Sequence, residues 1–361
     1  MSVELAEVLR RHAPSYLAEY GGKILPGHRR AIHDVMACRT PALGGQAWWC
    51  EPCGTTHYSY HSCNNRNCPK CGNDDASDWL ERQQSLLLPV PHFLITVTVP
   101  AELRPCFKSN QIKGYSLLMK ASAEGIQALC ADPRHLGARP GLIAILHTWT
   151  RKLTYHPHVH FLVTGGGYCR KQNQWIHSRP DYLLPERALA AFCRGRFKAI
   201  LGKTAHHGHI PPQAWEKNWG MKIIPVGSGE PTLKYFARYV FRTALGAKKI
   251  VSCDDRDVTF RYTESKTKLE KTETLPAHAF LHRYLQHVLP RGFTRVRYYG
   301  VFAPGNRKKL ETVRRILRVP REEETTAKTR PEPTEPKPFC CPKCQKPMTP
   351  GQRFRPGQKP P

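Results

Sequence analysis

Two cysteine pairs restrict this chain more than any other feature: Cys50-x2-Cys53 and, fourteen residues later, Cys68-x2-Cys71. A Cys-x2-Cys step holds two sulfurs at tight-turn geometry, and two steps complete the tetrahedral S4 shell that suits Zn²⁺. Four ligands leave no open position for chemistry, so the expected site is structural. Cys63, His57 and His61 lie inside the loop as alternative ligands. Arg66, Asn67 and Lys70 beside it are candidates for phosphate contact. Of 14 cysteines, five fall between Cys50 and Cys71 and three between Cys340 and Cys344. That distribution does not suit a disulfide framework. Cys341-x2-Cys344 by itself offers half a metal site, with Cys340 adjoining it.

Charge narrows the partner. Lys and Arg number 56 against 28 Asp and Glu, a formal charge of +28 over 361 residues. Such a surplus opposes compaction unless a polyanion offsets it, and nucleic acid is the default polyanion. No run of 18 apolar residues suggests a membrane span. Met1 to Arg11 carries acids and lacks an apolar signal core, so a cytoplasmic address is expected.

Periodicity divides the chain into three. Residues 1–90 read as a helical and zinc-binding region. Residues 91–320 alternate strand and helix. Within them His92–Val99, Leu142–Trp149, Tyr155–Val163 and Met221–Val226 are predicted strands, and Ile112–Cys130, Pro185–Leu201 and Leu233–Leu245 are predicted helices. Gly165-Gly166-Gly167 is expected to turn the chain. Residues 321–361 read as a flexible tail, since ten prolines fall between Pro331 and Pro361.

His156-Pro157-His158-Val159-His160 carries the chemical signal. On a strand, residues two apart share a face, so the three imidazoles point one way. Imidazoles fixed two residues apart form a divalent-metal chelate with open positions. His147, on the preceding predicted strand, completes the set if the two strands are antiparallel neighbours. Pro157 cannot donate to a ladder, which places the start of regular pairing near His158. His206-His207-x-His209 reads as loop. Tyr235 and Tyr239 are four apart on a predicted helix and share a face, with Arg238 and Arg242 on the adjacent stripe. Two phenols beside two guanidiniums suit a phosphodiester. The plainer alternative is an aromatic core stripe of Tyr235, Phe236 and Tyr239.

Four motifs in order resemble the HUH-type, two-tyrosine rolling-circle transposases of bacterial insertion sequences. They are SCNNRNCPKC, LHTWTRKLTYHPHVHFLVTGGG, YFARYVFR and FLHRYLQHVLPRGFTRVRYYG. The resemblance implies an α+β fold, a central antiparallel sheet with flanking helices and the histidine strand near its centre. It implies Mg²⁺ or Mn²⁺ on His158 and His160, with His147 favoured over His156 as third ligand, and structural Zn²⁺ in the N-terminal region. It also implies Tyr235 and Tyr239 as nucleophiles that nick single-stranded transposon ends through a 5′-phosphotyrosine. The partner is then DNA, in a nucleoid-associated protein. Basic residues from Arg291 to Arg318, Arg295 and Arg297 among them, are expected to hold its backbone. A relaxase or replication initiator using the same chemistry, and a non-catalytic zinc DNA-binding protein, are the competing readings.

Overall fold

The computed structural model describes residues 3–71, 74–202, 210–241, 244–246, 248–264, 267–319 and 338–361, with the side chains of residues 74, 75, 238, 239 and 241 outside that description. His206, His207, His209 and Arg242 therefore lie outside the described residues.

The chain opens with α1 (Leu5–Tyr20) and α2 (Pro26–Ala37), whose buried residues recur at helical spacing: Leu5, Val8 and Leu9, then Ala31, Ile32 and Val35. A hairpin of β1 (Gly45–Cys50) and β2 (Thr55–Tyr60) follows, then α3 (Asp74–Gln84). Next come β3 (His92–Thr98), α4 (Arg104–Ser109), α5 (Gln111–Ala131), β4 (Gly141–Trp149) and β5 (Tyr155–Thr164). A small hairpin of β6 (Gly166–Cys169) and β7 (Gln174–His177) leads to α6 (Glu186–Leu201) and the short α7 (Gln213–Glu216). The triple glycine thus enters a strand instead of only turning the chain. A Cβ on Gly167 would lie 2.6 Å from the Arg139 backbone, so the close approach demands glycine there. Beyond β8 (Gly220–Pro225) and α8 (Glu230–Phe241) lie β9 (Ile250–Cys253), β10 (Asp257–Thr263), β11 (Glu270–Pro276) and α9 (Ala277–Leu285). The described chain closes with β12 (Val296–Gly300), α10 (Arg307–Ile316) and β13 (Thr349–Phe354).

The central sheet has the order β12-β4-β5-β3-β8, with every pairing antiparallel. Helices cover both faces. Phe93, Ile95, Val97, Ala144, Val159 and Phe161 pack with α5 and α6 side chains such as Leu118, Ile126, Cys193 and Phe197. On the other face, Ile143, Ile145 and Leu162 meet Leu233, Phe236 and Ala237 of α8 and Trp79 of α3. Burial on both sides explains why β4 reads as a continuous apolar run. Pro157 has the expected effect on register. Pairing of β5 with β3 runs from Thr164 only to His158, and pairing with β4 is irregular beyond His147 and His158.

A second core joins α1 and α2 to β10, β11 and α9 through Phe260, Phe280, Leu281 and Tyr284, so residues on both sides of position 90 share it. The C-terminal segment departs from the flexible tail expected for 321–361. Residues 338–361 are ordered against the N-terminal hairpin, where β13 adds to β1 in a three-stranded sheet β13-β1-β2. Proline content missed this because the strand contains a single internal proline, Pro350, and it lies at the edge of the sheet, where β13 pairs with β1 on one side. Among the described residues no helix is long and apolar enough to cross a membrane.

Two buried histidines couple this fold to pH. His92 and His287 are both held down to about 4 by burial. The unfolded chain takes up these protons near pH 6.5, so it gains relative stability as pH falls below that value. Each group removes up to roughly 1.4 kcal/mol per pH unit down to its folded pKa. The thermal midpoint should be level near pH 7 and fall steadily between pH 6.5 and 4.5, above the range where carboxylates dominate. Thermal denaturation across that window checks the expectation, and a flat midpoint would contradict it.

Candidate metal and nucleophile site

Direct pairing of β4 with β5 sets His147 opposite His158, and Ile145 opposite His160. The two-residue period then puts His147, His158 and His160 on the α8 face of the sheet. Their ring centres are 5.2 Å apart for His147 and His158, 4.4 Å for His147 and His160, and 4.9 Å for His158 and His160. One nitrogen from each ring lies within 4.8 Å of the other two. Burial keeps all three neutral: His158 is held down to about 4, His160 to about 3, and His147 well below the usual range. A neutral imidazole is the metal-binding form.

Hydrogen bonds orient the rings. The His158 Nδ1–H donates to the His156 carbonyl at 2.7 Å. A carbonyl only accepts, so the His158 Nε2 lone pair is left for a ligand. His160 Nδ1 pairs with the Thr96 hydroxyl at 3.0 Å, from the neighbouring β3. His156 stands apart from the three-ring cluster. Its Nδ1 accepts from the Arg104 guanidinium at 3.1 Å.

Tyr235 reaches this cluster from α8. Leu233, Phe236 and Ala237 form the buried stripe of the helix, whereas Tyr235 is 39% exposed. Its ring centre lies 6.5 Å from that of His160, edge-on at 83°. Phe236 alone of the aromatic pair is core. Tyr239 and Arg238 lie one turn along the same helix, with side chains outside the description.

The other basic candidates separate. Arg295 is buried, stacks over Trp149 at 5.4 Å and donates to the Val240 carbonyl of α8 at 3.1 Å. It faces His147, whose charged form it disfavours, rather than an outer DNA surface. Arg297 pairs in register with Ala144, on the sheet face opposite the histidines, and donates to the Ser116 hydroxyl at 2.8 Å. The register of β12 against β4 decides this: the sequence predicts a strand from Val296 to Phe302, but which of its two faces meets the histidine side follows only from the pairing. The region's exposed cations among the described residues are Arg291, Arg318 and, on α10, Arg307, Lys308, Lys309 and Arg315. A cleft of about 760 Å³ opens beside the start of β5, lined by Tyr16, Tyr20, Arg104, Lys108, His282 and Arg283 among others. Sequence reading missed it because its walls come from α1, α4 and α9, far apart in the chain.

The cysteines correct the single S4 site expected from Cys50, Cys53, Cys68 and Cys71. Cys68 and Cys71 gather with Cys38 and Cys63, all four sulfurs within 4.8 Å of one another. Cys71 lies 3.6 Å from Cys38 and 3.7 Å from Cys63, sulfur to sulfur. A ZnS4 tetrahedron with bonds of ~2.3 Å has edges of about 3.8 Å. Cys68 is held down to about 5, the Cys63 thiol first among its hydrogen-bond donors. Cys50 and Cys53 stand elsewhere, with Cys341 and Cys344. The Cys63-x4-Cys68-x2-Cys71 spacing was the available signal for the first group, but no spacing shows which pairs meet.

The loop at this centre is structural where phosphate contact was expected. Arg66 donates to the carbonyls of Leu289, Pro290 and Phe293 at 3.2, 2.6 and 2.8 Å. The Asn67 carbonyl accepts from the buried Tyr284 hydroxyl at 2.7 Å. Lys70 pairs with Glu4 at 2.6 Å. Two of the four sequence motifs therefore bind each other. Arg66→Ala should cost about 1–3 kcal/mol by leaving carbonyls without their charged donor, and Arg66→Lys should recover only part of it. Urea unfolding reads both; an unchanged midpoint for the alanine variant would contradict the contact's role.

Residues 141–310 match the family model described as "Putative transposase", and residues 8–99 match "Transposase zinc-binding domain". The chain is 34% identical over 350 residues to "Putative transposase y4qJ" of Sinorhizobium fredii, covering 90% of this chain and 87% of the relative. It is 26% identical over 315 residues to "Transposase for insertion sequence element IS801" of Pseudomonas savastanoi pv. phaseolicola, covering 80% and 73%. No solved structure matches the chain.

Proposed function

The chain belongs to the IS91-type family of insertion-sequence transposases, and on that footing we propose that it nicks a single DNA strand at the transposon end by tyrosine attack and performs rolling-circle strand transfer. The observation that carries this reading is the exposed Tyr235 phenol, its ring 6.5 Å from His160 of the three-imidazole cluster. The Tyr235 oxygen bonds to phosphorus, the P–O3′ bond breaks, and the 3′ oxygen leaves with a proton. The product is a 5′-phosphotyrosine and a free 3′-hydroxyl. The ester conserves the bond energy, so rejoining to another 3′-hydroxyl requires no nucleotide cofactor. Tyr239, four residues along α8, is the second nucleophile, for the target strand or the other end.

His147, His158 and His160 are the residues to hold a divalent cation, and their neutral state and ring orientation fit that role. Mg²⁺ or Mn²⁺ bound there supplies charge neutralisation at the scissile phosphate. An all-imidazole donor set favours Mn²⁺ over the oxygen-seeking Mg²⁺. Arg295 keeps its charge, held at about 10, and fixes α8 through the Val240 carbonyl so that the phenol stays over the rings. Arg238 and Arg242 follow the tyrosines along the sequence and serve the phosphate backbone. The cleft between α1, α4 and α9 suits a single strand: Tyr20, backed by the buried Tyr16, offers a stacking surface, and Arg104 and Lys108 offer phosphate contacts. Arg104 also touches His156, which leads from this cleft to His158.

A labelled single-stranded end oligonucleotide tests the proposal. With Mn²⁺ it should form a covalent adduct with the protein, more efficiently than with Mg²⁺. Tyr235→Phe with Tyr239→Phe should reduce the adduct on the order of 10³-fold or more. His158→Ala with His160→Ala should abolish cleavage while DNA retention stays close to wild type. An adduct undiminished in the double tyrosine variant removes the nucleophile assignment.

A further inference from the structure

The Cys341-x2-Cys344 step remains without a role in strand cleavage, and it lies outside both matched family models. It stands against Cys50-x2-Cys53 at the opposite end of the chain. We propose that Cys50, Cys53, Cys341 and Cys344 hold a second structural Zn²⁺, which clasps the C-terminal segment to the N-terminal hairpin.

Geometry comes first. All four sulfurs lie within 4.8 Å of one another. Cys50 and Cys344 are 3.5 Å apart and Cys53 and Cys341 4.0 Å, sulfur to sulfur. These values bracket the ~3.8 Å edge of a ZnS4 tetrahedron and far exceed the ~2.05 Å of a disulfide. Each knuckle also turns backbone N–H groups toward its first sulfur. Cys53 does so for Cys50, and Lys343 and Cys344 do so for Cys341. His57 lies 3.8 Å from the Cys341 sulfur, with the Thr55 hydroxyl on the same ring nitrogen at 3.3 Å, so the sulfurs alone complete the shell.

Packing gives an independent reason. The buried core of this region is Cys50, Cys341 and Met348, flanked by Trp48 stacked on Phe339 at 4.9 Å. A core that small does not order a strand without a staple. Yet β13 is paired with β1 from Gly45 and Phe354 to Trp49 and Thr349. Phe354 sits edge-on to Tyr58 and Tyr60, and the Tyr58 hydroxyl donates to the Pro361 backbone oxygen. The N-terminal sequence is shaped for this approach. Gly44 has φ +72°, and a Cβ there would lie 2.6 Å from the Phe354 carbonyl oxygen. Only glycine admits both the backbone angle and the contact.

The test counts metal in the full-length protein. It is done in the His158→Ala, His160→Ala background, so that the histidine cluster contributes nothing. Elemental analysis and native mass spectrometry should find two zinc ions per chain. Adding Cys341→Ser with Cys344→Ser should lower the count to one, while Cys340→Ser, outside the cluster, should leave it at two. Hydrogen exchange on the same samples should show β13 losing protection in the double serine variant, with β4 and β5 retaining theirs as a control for folding. One metal in the parent protein, two in the double serine variant, iron in place of zinc, or unchanged protection of β13 would each overturn the proposal. None of these outcomes depends on DNA cleavage, so failure here is distinct from failure of the tyrosine assignment.

Discussion

The antiparallel pairing of β4 with β5 is the constraint on which the rest depends. It joins His147 to His158 and His160 by register, across a strand boundary that no local signal spans. Because both faces of the sheet are covered, the imidazoles are desolvated and stay neutral. The same coverage gives α8 a flat apolar bed, and its Leu233, Phe236 and Ala237 stripe determines which side of the helix is left for Tyr235. The imidazole cluster and the exposed phenol are therefore consequences of one packing arrangement.

Around this centre, distant segments of the chain are joined by few but specific bonds. Arg66, beside the cysteine centre, satisfies carbonyls that follow α9, and Tyr284 of α9 reaches back to Asn67. A zinc-binding region of a transposase thus buttresses the chain that leads into β12, the strand next to β4. Arg295 continues that line from β12 to α8. The fork of a guanidinium on three carbonyls is poorly replaced by a point charge, which gives this arginine a geometric role beyond its charge.

Most of the large positive charge remains outside these contacts. The exposed cations of α10 and the basic wall of the cleft are where a polyanion would offset it. Buried charge behaves differently. Arg295 is withdrawn from solvent and Arg297 is turned to the far face, so neither follows from the density of basic residues between Arg291 and Arg318. Composition reports how much charge there is, while strand parity and burial allocate it.

What the sequence determined by itself was everything carried by short-range periodicity. The two-residue spacing aligned His158 with His160, the four-residue spacing put Tyr235 and Tyr239 on one helix, and the apolar runs marked strands of the central sheet, because these patterns depend only on backbone repeat. The pairing of distant pieces was decided by tertiary structure alone. Two Cys-x2-Cys steps inside one loop looked like a single site, yet each found its partner elsewhere, Cys68 and Cys71 with Cys38 and Cys63, and Cys50 and Cys53 with Cys341 and Cys344. A thiol pair has the same local geometry whichever pair it faces, so only the folded path of the chain, with β13 laid against β1, could choose between them.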